Sequence, residues 1–155
     1  MSKFKKAGPR IRTHTRRRRN QTQNKIEQYK KIFDTREMVD LREKNLTDED
    51  ALAIGDALKT NNTVLWLRLD NNNITNVQSI GEGLKSNNTL EVLRLDDNNI
   101  TDDSGIQSII DVLKTNNTLK YLRLYKNQLS DNMKSQLRRI QQYKRDGSNG
   151  YQQVE

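Results

Sequence analysis

The chain has no cysteine, one proline and one histidine among its 155 residues. Without cysteine there is no disulfide framework, no thiolate nucleophile and no thiolate metal ligand. The one histidine, His14, lies within the basic N-terminal segment, and no Ser-His-Asp set is found. Apolar residues make up only 32%, against 31% charged. A compact globule carries about 45–50% apolar residues, so the core here must be thin. No run approaches the length of a membrane-spanning helix, and the charged N-terminal residues lack the apolar segment of a secretory signal. These absences predict an intracellular protein with no membrane partner, cytoplasmic first, with the nucleus or an organelle as alternatives.

Acid is also missing from one end. Residues 1–31 hold twelve Lys or Arg against one acid, Glu27, a net of +11, while 32–155 hold sixteen basic and nineteen acidic residues, a net of −3. The two add to the +8 of the whole chain. A segment as charged and as poor in apolar residues as 1–24 repels itself and buries nothing, so it is expected to be extended and to order on a polyanion. Lys3, Lys5, Lys6, Arg10, Arg12, Arg16, Arg17, Arg18 and Arg19 are its candidate contacts. Phe4 is its one aromatic, so it lacks a base-stacking platform and would read backbone charge rather than sequence.

The remainder is repetitive. Four segments align, beginning at Val39, Leu67, Leu93 and Leu122, each with a second leucine two residues on (Leu41, Leu69, Leu95 and Leu124). The last three then carry Asn72, Asn98 and Asn127, where the first has Lys44. A near-identical Leu-Lys-Thr/Ser-Asn-Asn-Thr precedes each copy after the first, ending at Thr63, Thr89 and Thr118. This L-x-L-x-x-N-x-L pattern resembles the ribonuclease-inhibitor-type leucine-rich repeat, and is similar to the tropomodulin C-terminal domain and the repeats of NOD-like receptors. The resemblance implies an α/β solenoid of about three and a half repeats, with parallel strands on the concave side and helices on the convex side.

Elementary chemistry agrees with it. Alternation puts the leucines inward; asparagine amides inside each turn can satisfy backbone groups of the next coil. Thr47-Asp-Glu-Asp50, Thr101-Asp-Asp and Ser130-Asp offer helix N-caps, and the Asn-Asn pairs suit left-handed helix ends. Apolar residues at helical spacing follow, as in Ile106, Ile109, Ile110 and Leu113. The ends of so short a stack need covers. Ile26, Tyr29, Ile32 and Phe33 could cover one, and Met133, Leu137, Ile140 and Tyr143 the other. The expected organisation is a basic extended arm over 1–24, a capping helix over 25–35, the solenoid over 36–146 and a mobile tail over 147–155.

Strand alternation predicts three outward columns on the concave face: Met38, Trp66, Val92 and Tyr121; then Asp40, Arg68, Arg94 and Arg123; then Arg42, Asp70, Asp96 and Tyr125. Trp66, Arg68, Arg94, Tyr121, Arg123 and Tyr125 form the candidate protein-binding face, suited to a carboxylate-bearing peptide, an acidic helix or a nucleic-acid strand. The competing reading is that Arg68 and Arg94 merely neutralise Asp70 and Asp96. Gly81-x-Gly83 is too short for a phosphate loop, and the turn and cap explain the Asp96-Asp97 and Asp102-Asp103 pairs without a metal. The expectation is a non-enzymatic binding or architectural subunit of a large assembly, with no catalytic residue, cofactor, metal or small-molecule substrate. The arm would anchor on RNA, in a ribosome or other ribonucleoprotein, or on another polyanionic surface through residues 1–31, while the repeat face binds a protein neighbour. The alternatives are a cytoskeletal component, microtubule, axonemal or actin-associated, and a nuclear adaptor or effector.

Overall fold

The computed structural model describes residues 10–101 and 103–146, with side chains described over 15–101 and 104–139. Helix α1 (Arg10–Phe33) is followed by four strand–helix units: β1 (Met38–Asp40) and α2 (Asp48–Leu58), β2 (Trp66–Arg68) and α3 (Gln78–Ser86), β3 (Val92–Arg94) and α4 (Asp103–Thr115), β4 (Tyr121–Arg123) and α5 (Asp131–Asp146). The strands form one parallel sheet in chain order, in register Met38–Trp66–Val92–Tyr121 and Asp40–Arg68–Arg94–Arg123. Each helix packs against its successor, from α1 on α2 to α4 on α5. The chain is a short leucine-rich-repeat solenoid, as its repeats predict.

Between sheet and helices lie the repeat leucines, with Leu67, Leu69, Leu93, Leu95 and Leu122 fully buried and Leu124 nearly so. A fully buried leucine contributes about 1.5–3 kcal/mol through the water it sheds. Helix layers this close need glycine. A Cβ on Gly55 would collide with the backbone of Ser79, and one on Gly83 with the backbone of Gly55. Gly81 and Gly83 are therefore spacers between neighbouring helices, not parts of an anion loop.

Two ladders of asparagine amides tie the coils together. In the first, the Asn98 amide donates to the carbonyls of Leu69 (2.9 Å), Leu95 (3.2 Å) and Asp96 (3.2 Å), and its oxygen accepts the Ile74 N–H (3.1 Å). Asn72 and Asn127 repeat this bridge in their own coils. Lys44 departs from the pattern without penalty, because no coil precedes it. The second ladder corrects an expectation. Asn87 is not a left-handed helix end; its φ is −84°. Its amide donates to the carbonyls of Leu58 and Asn61 (both 2.9 Å) and accepts from the N–H groups of Thr89 and Leu90. Asn116 does the same one coil later. Left-handed backbone sits instead at Glu43, Asn71, Asp97 and Lys126, one residue before each first-ladder position, and at Asn45.

The N-terminal segment also differs from expectation. Residues 10–24, expected as extended arm, belong to α1, which is helical from Arg10. No glycine or proline interrupts 10–33, and arginine and glutamine are good helix formers, so the docked end propagates the helix outward. Ile26, Tyr29 and Phe33 are buried on the first repeat, with Ile32 partly so, as their spacing predicts. At the other end Met133 and Leu137 are buried, while the side chains of Ile140 and Tyr143, and the whole tail 147–155, lie outside the described residues. Asp50 joins cap to solenoid: its carboxylate accepts from the Thr47 N–H, Lys25 Nζ (2.7 Å) and the Tyr29 hydroxyl (3.1 Å). Burial pushes its pKa up, but the bonds from Lys25 and Thr47 outweigh this and hold it below the ordinary value, while burial beside Asp50 pushes the Tyr29 phenol up.

Two outcomes follow. Asn98→Ala orphans the buried Ile74 N–H and takes one of two donors from the carbonyls of Leu69, Leu95 and Asp96, and should cost about 2–3 kcal/mol in urea unfolding. Because Asp50 has a depressed folded pKa, its contribution is complete above the unfolded value near 3.9 and is lost as pH falls through the folded one. The stability difference between wild type and Asp50→Ala should therefore be largest at neutral pH, about 1–2 kcal/mol, and should shrink under acid.

Candidate functional site

The strands are three residues long, so the face they present is narrow. On the first column Met38 is 58% exposed and Trp66 45%, with Val92 and Tyr121 half-buried beside them. Tyr125, just past β4, is 39% exposed and carries Lys126 Nζ over its ring at 5.6 Å. Parallel pairing forces these side chains onto one face, because residues in register point the same way. Met38 was absent from the candidate set; the signal was its place in the same column as Trp66.

The central column is a charge zipper. Arg68 Nε lies 3.2 Å from Asp70, and Arg94 reaches Asp70 at 3.4 Å and Asp96 at 3.2 Å. Arg123 Nε lies 3.2 Å from Asp96, and Asp40 pairs with Arg42 at 2.7 Å and with Arg68 at 3.9 Å. Asp70 and Asp96 are buried, which corrects their placement on an outward column. Strand geometry ends at Arg68 and Arg94, so the next two residues no longer alternate, and the aspartates turn beneath the arginines. The Asp96 carboxylate also accepts the Tyr125 N–H (2.9 Å). Asp70 Oδ1 makes no hydrogen bond, and burial, aided by the Asp96 charge, raises its pKa despite the two arginines. The exposed Asp40, by contrast, is held at about 2 by its hydrogen bonds to Arg42.

So the face offers apolar and aromatic contact beside arginines whose charge is already met. The arginine planes remain partly open and can stack or donate, but they are not a free cationic track.

Positive charge is concentrated on α1, with nine basic residues against Glu27, of which Lys25 pairs with Asp50 and Lys30 with Glu27. Its 24 residues span about 36 Å at 1.5 Å per residue. Residues 15–21 are all exposed. Four successive arginines, Arg16–Arg19, project around the whole helix, since each step turns it by about 100°. Arg10 and Arg12 lie on the same helix, and Lys3, Lys5 and Lys6 fall outside the described residues. The structure thus separates the two candidate sets, with the arginine run on a helix flanking the sheet and Trp66, Arg68, Arg94, Tyr121, Arg123 and Tyr125 on or beside it.

Among the described residues no group of three or more His, Asp or Glu side chains is placed to hold a metal, and no helix is long and apolar enough to cross a membrane. Asp97 pairs with Lys126 at 3.3 Å, and Asp102 lies outside the described residues.

No protein-family model matches the chain, and no curated protein matches it in sequence. In structure it is similar to leiomodin-1 actin-binding site 2, with a TM-score of 0.59 and 22% identity, over 80% of this chain and 89% of that one. At that identity the likeness establishes the fold.

Breaking the zipper should be costly. Asp96→Ala strands Arg123 and the Tyr125 N–H and leaves Arg94 only Asp70, and should lower unfolding stability by about 2–3 kcal/mol, with Asp96→Asn recovering part through its remaining acceptor.

Proposed function

We propose that the chain is a non-enzymatic protein-binding module of the cytoskeletal kind, whose repeat face and basic helix grip an actin-type partner. The observation that carries this reading is the pairing pattern of the concave face: its arginines are neutralised from below while Met38, Trp66 and Tyr125 stand open. Such a face recognises a protein through desolvated aromatic and apolar anchors. The fold it shares with an actin-binding domain supports actin as the partner class. α1 supplies the complementary element, a cationic rod that steers the module onto acidic surface and is screened by salt. Nothing in this assignment needs catalysis, a cofactor or a metal.

Co-sedimentation with actin filaments and titration of labelled actin monomers test it, both after nuclease treatment. Binding is expected in at least one assay, and Trp66→Ala should weaken it about tenfold or more while leaving the thermal transition unchanged. Replacing Arg16–Arg19 with glutamine should flatten the salt dependence. One observation favours a second reading. The same four exposed arginines fit an RNA backbone, with affinity falling steeply in log salt as counterions are released. No actin binding, together with tight salt-dependent RNA binding abolished by the glutamine variant, would establish that reading instead.

A further inference from the structure

β1 is an end strand with one edge in use. On its β2 side the Glu37 carbonyl accepts from Leu65 and Trp66 (2.8 and 2.9 Å) and the Leu41 N–H donates to Arg68 (2.9 Å). In a parallel ladder alternate residues face opposite neighbours, so Met38 and Asp40 turn their N–H and C=O groups away from β2. The equivalent first residue of every later strand has its N–H taken by the coil before it: Trp66 donates to Glu37, Val92 to Leu65 and Tyr121 to Glu91. Among the described residues Met38 has no strand before it. Helix α1 continues the helix layer over α2, and no described residue continues the sheet.

A groove of about 350 Å³ lies along this edge, lined by Lys31 and Ile32 of α1, Arg36 of the connection, and Val39, Asp40 and Leu41. Its floor is apolar, with Ile32 and Leu41 only partly covered. Asp40 is held by Arg42, whereas Lys31 and Arg36 are exposed and make no ion pair among the described residues. Open backbone groups, an apolar floor and two uncommitted cations therefore meet at one place.

We propose that this edge is a second binding site, which takes an extended acidic–apolar segment of a partner protein as an added parallel strand. The repeat geometry sets its register. The residue opposite Val39 sends an apolar side chain into the groove against Ile32 and Leu41; its own N–H and C=O meet the Met38 carbonyl and the Asp40 N–H, and the residues two before and two after it meet the Met38 N–H and the Asp40 carbonyl; acidic residues preceding it meet Arg36 and Lys31. An added strand of three residues matches the length by which every coil here already pairs with the next. A second copy of the chain is the poorer occupant, because edge-to-edge pairing would bring together two sets of Lys31, Arg36 and α1 charge. The site is independent of which protein the concave face binds.

A fluorescein-labelled octapeptide, two glutamates followed by alternating valine and threonine, is titrated against the full chain by anisotropy. ¹⁵N amide spectra are followed in parallel. Saturable binding is expected, with the largest shifts at the Met38 and Asp40 amides. The double variant Lys31→Glu/Arg36→Glu should weaken binding about fivefold or more, as should reversing the peptide's charge. Met38→Pro deletes the outward N–H while sparing every bond to β2, and should weaken binding about fivefold. If that variant fails to fold, the charge variant and the amide shifts decide. No saturable binding, binding indifferent to the charge variant, shifts confined to other strands, or a dimer in light scattering that Lys31→Glu/Arg36→Glu stabilises would each overturn the proposal.

Discussion

A coil whose strand is three residues long cannot satisfy its own backbone, and everything else in this molecule follows from where those polar groups go. A side-chain amide holds both a donor and an acceptor at one point, so asparagine can serve carbonyls of two successive coils and an N–H of the first. Asn98 does this at the strand–helix turn; at the helix–strand turn the Asn87 amide bonds two carbonyls of the coil before, Leu58 and Asn61, and accepts two N–H groups of its own coil, and both asparagines are buried. Two such ladders clamp every coil at both ends, which lets a chain with 32% apolar residues hold a regular stack. The arrangement also makes the ends special. At the first coil the Asn61 amide turns to the Asp34 carboxylate (3.3 Å), so the capping helix stands in for the missing coil.

The same economy governs the concave face. Three arginines in successive register would repel, and the structure answers by turning Asp70 and Asp96 under them. Burying two carboxylates is tolerable because Asp70 lies within 3.4 Å of two guanidinium groups and Asp96 of two as well. The consequence for recognition is a division of labour. The sheet presents aromatic and apolar surface with arginine planes as polar edges, and the net cationic field belongs to α1, where the acids are lacking.

Periodic features were legible in the residues alone, because repetition multiplies a weak signal. The repeat leucines, the first asparagine ladder and the apolar stripe of Ile26, Tyr29 and Phe33 could all be placed that way. Features that hang on a boundary were not. Alternation carried past the end of a three-residue strand put Asp70 and Asp96 on the surface, when the turn rotates them inward. The Asn-Asn pairs were read through the backbone tolerance of asparagine, when its side chain decides: Asn61, Asn87 and Asn116 each accept the two N–H groups that begin the next strand's approach. Charge density argued for an extended arm over 1–24. It was outweighed from Arg10 onward by helix propensity acting on a segment already nucleated by docking of its far end.

A leucine-rich coil has two layers to close at each terminus, and they are different problems. The helix layer needs an apolar stripe, which any amphipathic helix supplies; α1 does so with Ile26, Tyr29 and Phe33. The sheet layer needs hydrogen-bond partners in register, which a helix cannot supply, since its backbone groups are spent within itself. Closing the first layer with α1 therefore leaves the second open at β1 among the described residues. Shortness limits the hazard of an exposed edge, because three residues template little indiscriminate pairing. The flanking Lys31 and Arg36 restrict it further, repelling basic strands, including those of another copy. An edge protected in this way against most segments stays selective for an acidic one, which is how a by-product of capping becomes a site of recognition.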